Sequence, residues 1–168
     1  MRARAVHPLA VPRTLPITDR SLFLRYALPC AGTLVRRGKV TQDWVDELVR
    51  AVSGGAAIPQ GAEQVFAVAC AACSLRALDQ GKQAIGPEVI RGYFRKGHDA
   101  VIDRRYAEMR DFDPEACRVR TGVVEDVSGS RARVRLGAQV RILRTDLFPR
   151  VRAGMRVVAH WDFIVEEA

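Results

Sequence analysis

Arg131-Ala-Arg-Val-Arg-Leu136 alternates charged and apolar residues, Gly137-Ala138 interrupts the run where a turn is wanted, and Val140-Arg-Ile-Leu143 resumes it. A period of two puts the apolar side chains on one face of a pleated strand, and a glycine-containing pair between two such runs predicts a β-hairpin. Apolar runs flank the hairpin, Val119 to Val127 before it and Met155 to Val165 after it. The stretch therefore widens into a compact all-β module over residues 113–168. A unit of roughly 50 residues buries only about 60% of its unfolded surface, so it is expected to lean on the rest of the chain.

Upstream of Asp111-Phe-Asp-Pro114 the period changes to 3.6. Thr18-Asp19 offers an N-cap to a helix through Leu22, Phe23, Tyr26 and Ala27, with Pro29 as its end or a kink. Thr41 caps a second helix, in which Trp44, Val45, Leu48, Val49 and Val52 form one stripe and Gly54-Gly55 the stop. Between Pro59 and Gly81 apolar residues fall on nearly every face, which predicts the buried central helix of a bundle. A fourth helix, from Pro87 to Met109, turns Val89, Ile90, Tyr93, Phe94, Val101, Ile102 and Tyr106 inward and is weakened at Gly92 and Gly97. The expected helical core is Trp44, Leu48, Phe66, Val68, Leu75 and Tyr93, with Cys70 and Cys73 inside as reduced thiols. Residues 1–17 hold Pro8, Pro12 and Pro16 with no apolar period and read as an extended arm. The fold class is thus α+β: an arm (1–17), an N-terminal helical bundle (18–112) and a small OB-like antiparallel β-barrel (113–168).

Composition narrows the function. The 168 residues are 48% hydrophobic and 27% charged, a balance that excludes a wholly disordered chain. No apolar run reaches the ~18 to 20 residues that cross a bilayer, and no signal-peptide block follows the basic start Met1-Arg-Ala-Arg, so no membrane role is expected. The four cysteines, Cys30, Cys70, Cys73 and Cys117, are too few for a disulfide scaffold; as thiols they point to the cytoplasm. The net charge is +8. It is spread out, since residues 117–168 carry ten Arg against six acids, or half of the excess. Dispersed arginines with few aromatics speak against nucleic acid as a partner. A basic nucleic-acid-binding protein with an OB-type barrel stays as the alternative, its sheet arginines Arg131, Arg133 and Arg135 meeting phosphates.

Read as one line, the β module runs Cys117-Arg-Val-Arg-Thr-Gly122-Val-Val, Ser128-Gly129-Ser-Arg-Ala132-Arg-Val134, Leu147-Phe-Pro149-Arg-Val151-Arg-Ala-Gly154-Met-Arg-Val157-Val-Ala-His160-Trp-Asp-Phe163-Ile-Val-Glu166. It resembles the HypC/HupF family of [NiFe]-hydrogenase assembly chaperones. Those small β-barrels begin with a cysteine five residues before a glycine, form a Gly-turn hairpin and pass through Leu-x-Pro-x-Val-x-x-Gly-x-x-Val to a strand ending in His and a Phe-x-x-Glu tail. The resemblance implies an accessory protein in hydrogenase maturation, not an enzyme. It also implies Cys117 and His160 as ligands of an iron centre carrying cyanide and carbonyl, with a maturation scaffold protein and the hydrogenase large-subunit precursor as partners. A thiolate and an imidazole suit low-spin iron(II), and a carrier that must release its cargo needs few ligands.

Trp161 and Asp162 flank the histidine and are expected to shape or orient it. Other candidates read more plainly. Cys70-Ala-Ala-Cys73 lies in an alanine-rich helix with no second pair at zinc spacing and is assigned to core packing. His98, with Asp99 and Asp103 nearby, reads as part of a solvated polar face. Cys30, beside Pro29, stays open between a packing thiol and one that meets Cys117. An enzyme using Cys117 as nucleophile and His160 as base lacks an evident third, orienting group. No glycine-rich phosphate loop, Ser/His/Asp order or paired carboxylates stands out.

Overall fold

The structure is a computed structural model that describes residues 14–106, 109 and 112–168. Of the arm expected over 1–17, residues 1–13 lie outside the described residues, as do 107 and 108 near the end of the helix expected to reach Met109, and 110 and 111 beyond it. The chain is mixed, with helices in the N-terminal part and a closed five-stranded barrel at the C-terminus. The last residues of the predicted arm are docked: the Leu15 amide donates to Ser74 Oγ at 3.1 Å, and Ile17 bridges to Ile85.

Helix α1 (Arg20–Ala27) starts where Asp19 accepts from the Leu22 amide, and Leu22, Phe23, Leu24, Tyr26 and Ala27 are all buried. Pro29 has no N–H to continue the ladder. The chain tightens there into a 3-10 turn, Leu28–Cys30, and resumes as α2 (Ala31–Arg36). Thr41 caps α3 (Gln42–Arg50) through the Trp44 amide, and Val45, Leu48 and Val49 face inward while Trp44 stays half-buried.

Helix α4 (Ala67–Asp79) corrects one expectation. It is not buried all round: Cys70, Cys73, Ser74 and Ala77 form its inner face, and Val68 and Leu75, expected in the core, are exposed with Leu78. The inner positions recur at three and four residues and carry small side chains, so the helix packs closely on one side and turns its larger residues out. Close packing also sets Gly92, where a Cβ would come within 2.6 Å of Arg76 Nε. The predicted helix from Pro87 is three pieces: α5 (Pro87–Gly92), a wide π turn (Tyr93–Gly97) and α6 (His98–Arg105). Gly92 and Gly97 bound the irregular turn, where local helix propensity is weakest. A last short helix, α7 (Pro114–Cys117), is capped by Asp113.

Strands β1 (Arg120–Ser128), β2 (Arg131–Leu136), β3 (Gln139–Arg144), β4 (Arg156–His160) and β5 (Phe163–Glu167) close in the order β1-β2-β3-β5-β4. The expected hairpin forms, with Leu136 opposite Gln139 and Gly137 at φ +62° in the turn. The barrel is not wholly antiparallel, because β3 meets β5 in parallel through Arg144 and Phe163. Gly122 cannot carry a side chain: a Cβ there would stand 2.5 Å from the Arg135 carbonyl oxygen.

Val124, Val134, Leu143, Val157, Ala159 and Ile164 fill the barrel, while Val158, Phe163 and Val165 belong to the core shared with the helices. Strands β4 and β5 are therefore covered on both faces, which is why Val157-Val-Ala159 and Phe163-Ile-Val165 read as short continuous apolar runs rather than alternations. Period two then puts His160 on the face of Val158, toward the helices. A slip in the β4–β5 register between Val158 and Ala159 sets Glu166 opposite Val158, on that same face. There Glu166 accepts from the Tyr26 hydroxyl and pairs with Arg91 at 2.9 Å and Arg95 at 2.6 Å, tying β5 to α1 and the α5 region.

Candidate metal centre

Four side chains from four separate segments converge on the seam between helices and barrel. Cys30 ends the turn after α1, His98 begins α6, Cys117 ends α7 and His160 ends β4. Their nearest ligand atoms all lie within 4.8 Å of one another. Cys30 Sγ is 3.7 Å from Cys117 Sγ and 3.4 Å from His160 Nε2; Cys117 Sγ is 3.8 Å from His160 Nε2 and 4.0 Å from His98 Nε2. A tetrahedral ion with bonds of about 2.0 to 2.3 Å separates its donors by about 3.3 to 3.8 Å. The cluster is thus near the size of a first coordination sphere, and its donor set, two thiols and two imidazoles, is one that holds zinc(II) or iron(II).

Outer contacts fix two of the donors. His160 is fully buried, and its Nδ1–H donates to the Tyr26 carbonyl at 2.7 Å. A carbonyl only accepts, so the proton sits on Nδ1 and the Nε2 lone pair faces the sulfurs, the usual arrangement behind a ligating histidine. The Trp161 amide donates to the Ala116 carbonyl at 3.0 Å, joining the residue after His160 to the residue before Cys117. His98 is held differently, by ring packing against Tyr93, Phe94 and His160, and its buried Nδ1 has no hydrogen-bond partner.

Electrostatics distribute the protons unevenly. The Cys117 thiol lies well below the ordinary thiol range, because the hydrogen bond from Cys30 first, and the His160 and His98 rings beside it after that, outweigh the cost of burial. Cys30 is pushed up by that same hydrogen bond, then by burial and by the charge on Cys117. Burial pushes His160 down, toward the neutral ring. The pair therefore shares one proton, carried on Cys30, and metal binding must release it.

Cys117 and His160, singled out in the sequence, do meet. Cys30 joins them. His98 overturns the sequence reading: it is buried, while its neighbours Asp99 and Asp103 do form the polar face, both paired with Arg118. The one hint in the sequence was the weakening of the helix at Gly92 and Gly97, which bound a wide turn just before His98, and such turns concentrate at functional sites. Trp161 borders the site through its backbone, packs its ring edge-on against Phe112, and acts through its buried indole N–H on Cys30, whose thiol it pulls down against the larger upward effects of Cys117 and burial. Asp162 does not orient His160, whose Nδ1 is taken by Tyr26; it is exposed, and its carbonyl accepts from the Arg144 amide at 2.7 Å. Cys70 and Cys73 lie on the inner face of α4, with Cys70 Sγ donating to the Glu63 carbonyl at 3.1 Å.

Cys30, His98 and Cys117 also form part of the wall of a cavity of about 460 Å³, otherwise largely apolar, with Phe66, Tyr93 and Ile102 among its lining and Arg37 and Lys39 as its lysine and arginine. No helix among the described residues is long and apolar enough to cross a membrane. No protein-family model matches the chain, and no curated protein matches it.

Proposed function

We propose that this chain is a metal-carrying accessory protein of [NiFe]-hydrogenase maturation, with no turnover of its own. The observation that carries the reading is the convergence of Cys30, His98, Cys117 and His160 within 4.8 Å, two of them the residues that the resemblance to the HypC/HupF family marks out. The strand order β1-β2-β3-β5-β4, with its single parallel contact, supports an OB-like type for the barrel.

The chain's own groups are preset for a soft cation. Cys117 supplies a thiolate, His160 a neutral ring aimed by Tyr26, and Cys30 a thiol whose proton leaves on binding. Four donors suffice for a bare divalent ion. An iron fragment that already bears cyanide and carbonyl needs fewer, Cys117 and His160, and the cavity that Cys117 lines has room for its remaining ligands. The maturation scaffold and the large-subunit precursor are the partners of this reading, and the cytoplasm its compartment. The nucleic-acid alternative is weakened by Glu125, which pairs with both Arg133 and Arg135 and so occupies two of its three sheet arginines.

Anaerobic purification from a host that expresses the hydrogenase maturation system tests this. The expected result is bound iron with infrared bands of cyanide and carbonyl, lost in Cys117→Ala and His160→Ala. Protein without metal that neither associates with maturation partners nor takes up iron(II) or zinc(II) overturns it.

A further inference from the structure

The same cluster holds a covalent chemistry that metal carriage does not use. Cys30 Sγ and Cys117 Sγ face each other at 3.7 Å, and a disulfide needs about 2.05 Å, so the two sulfurs have less than about 2 Å to close. Both cysteines form part of the cavity wall. The chain's other cysteine pair does not: Cys70 and Cys73 are buried on the inner face of α4, outside that lining. A small neutral oxidant entering the cavity reaches the first pair and not the second.

We infer that Cys30 and Cys117 form a dithiol that a hydroperoxide closes to a disulfide, and that this disulfide and a bound metal exclude each other. The steps balance as follows. The Cys117 thiolate attacks one peroxide oxygen; the S–O bond forms, the O–O bond breaks, and hydroxide leaves and takes up a proton to become water. The sulfur is oxidised by two electrons and the peroxide reduced by two. The Cys30 sulfur then attacks the Cys117 sulfenic acid; the S–S bond forms, the S–O bond breaks, and a second water leaves. His160 Nε2, 3.4 Å from Cys30 Sγ, is placed to take the Cys30 proton in this second step and pass it to the departing oxygen. Two thiols and one hydrogen peroxide give one disulfide and two waters.

The consequence for the metal is direct. Disulfide sulfurs no longer offer thiolate lone pairs, and His98 and His160 alone are half a coordination sphere. Conversely, thiolates bound to a metal have their nucleophilic pairs engaged. Loading is thereby confined to reducing conditions. The second half of the inference rests on the metal reading above; the disulfide itself does not.

The test uses the full chain, reduced and metal-free, treated with one equivalent of hydrogen peroxide and mapped by mass spectrometry. A Cys30–Cys117 cross-link is expected, with Cys70 and Cys73 still free. In Cys30→Ser the reaction should stop at a Cys117 sulfenic acid, trapped by a 1,3-dione, with far-UV circular dichroism reporting that the variant is folded. Prior addition of zinc(II), which is redox-inert, should slow cross-linking by about tenfold or more, as its thiolates are masked. A Cys70–Cys73 cross-link in its place, or Cys117 oxidised in the wild type with Cys30 left free, overturns the inference and leaves the metal reading standing. A cross-link that forms in a protein shown by elemental analysis to take up no zinc(II) or iron(II) removes the metal reading and keeps the dithiol. Cross-linking at an unchanged rate in protein shown to hold zinc refutes the mutual exclusion.

Discussion

The Trp161 amide and the Ala116 carbonyl are joined by a 3.0 Å hydrogen bond, which fastens the turn after His160 to the short helix that ends in Cys117. Trp161 makes this bond from a left-handed backbone, φ +53°, a conformation that costs a side-chain-bearing residue on the order of 1 kcal/mol.

That relationship separates backbone from side chain. Trp161→Gly keeps the N–H and suits the positive φ, so metal affinity should stay within about tenfold of wild type despite the lost ring contact with Phe112. Trp161→Pro removes the donor and cannot adopt the angle, and affinity should fall by about a hundredfold or more. Competition with a chromophoric chelator measures both. Equal affinities would mean that the tie does not position Cys117.

The two histidines should not be equivalent. His160 has its Nδ1–H on the Tyr26 carbonyl, whereas His98 Nδ1 has no partner. Outer hydrogen bonds of this kind are worth about 10- to 100-fold in affinity. In a cobalt(II) titration the wild type should give a tetrahedral spectrum with sulfur-to-metal charge transfer from two thiolates. His160→Ala should lose affinity by about tenfold more than His98→Ala, and the reverse order would show that ring packing, not the Tyr26 bond, governs the site.

The hairpin was legible because Arg131 to Leu136 alternates without exception up to the Gly137-Ala138 turn. Cys117 and His160 were found through the ordered motif around them. The other half of the site was hidden for physical reasons. Cys30 and His98 come from helices whose own periodicity says nothing of how they dock on a barrel, and His98 sits between aspartates that are exposed, so its neighbourhood reads as solvent. The exposed Val68 and Leu75 misled for a related cause. An alanine-rich helix looks apolar on every side, and only its close packing through Cys70, Cys73 and Ala77 decides which side is inside.

Those helix cysteines give a simple check of the packing. Burial raises Cys70 to about 11 and Cys73 to about 12, the charge of neighbouring groups adding to it. At pH 7 neither thiol should react with a maleimide within minutes in the native protein, and both should react at once in denaturant. Rapid native labelling of the pair would mean that α4 opens away from α5.

Two glycines of the barrel should differ in tolerance. Gly122→Ala drives a Cβ against the Arg135 carbonyl and the Leu136 and Val134 side chains, and should cost about 2 to 3 kcal/mol. Gly137→Ala meets open space and pays only for its left-handed φ, about 1 kcal/mol. Denaturant unfolding should place the midpoint of Gly122→Ala below that of Gly137→Ala; the opposite order would show that β1 can shift away from β2.

Acid should loosen the seam through Glu166. Burial alone would raise its carboxyl, but the hydrogen bonds from Arg91, Tyr26 and Arg95 prevail and hold it below the ordinary carboxylate range. A folded-state value below the unfolded one makes the carboxylate stabilising at pH above about 4.3, and that contribution is lost as the pH falls through the depressed folded value. Thermal unfolding followed from pH 7 downward should therefore show a wild-type Tm that drops below about pH 5. Glu166→Gln should be less stable at pH 7 by up to about 3 kcal/mol, a ceiling because Arg91 and Arg95 reach water and are only partly stranded. Its Tm should then fall less steeply with acid, so that the two curves converge at low pH. Parallel curves across the whole range would assign the acid sensitivity to other carboxylates and leave Glu166 as a contact without a titration of its own.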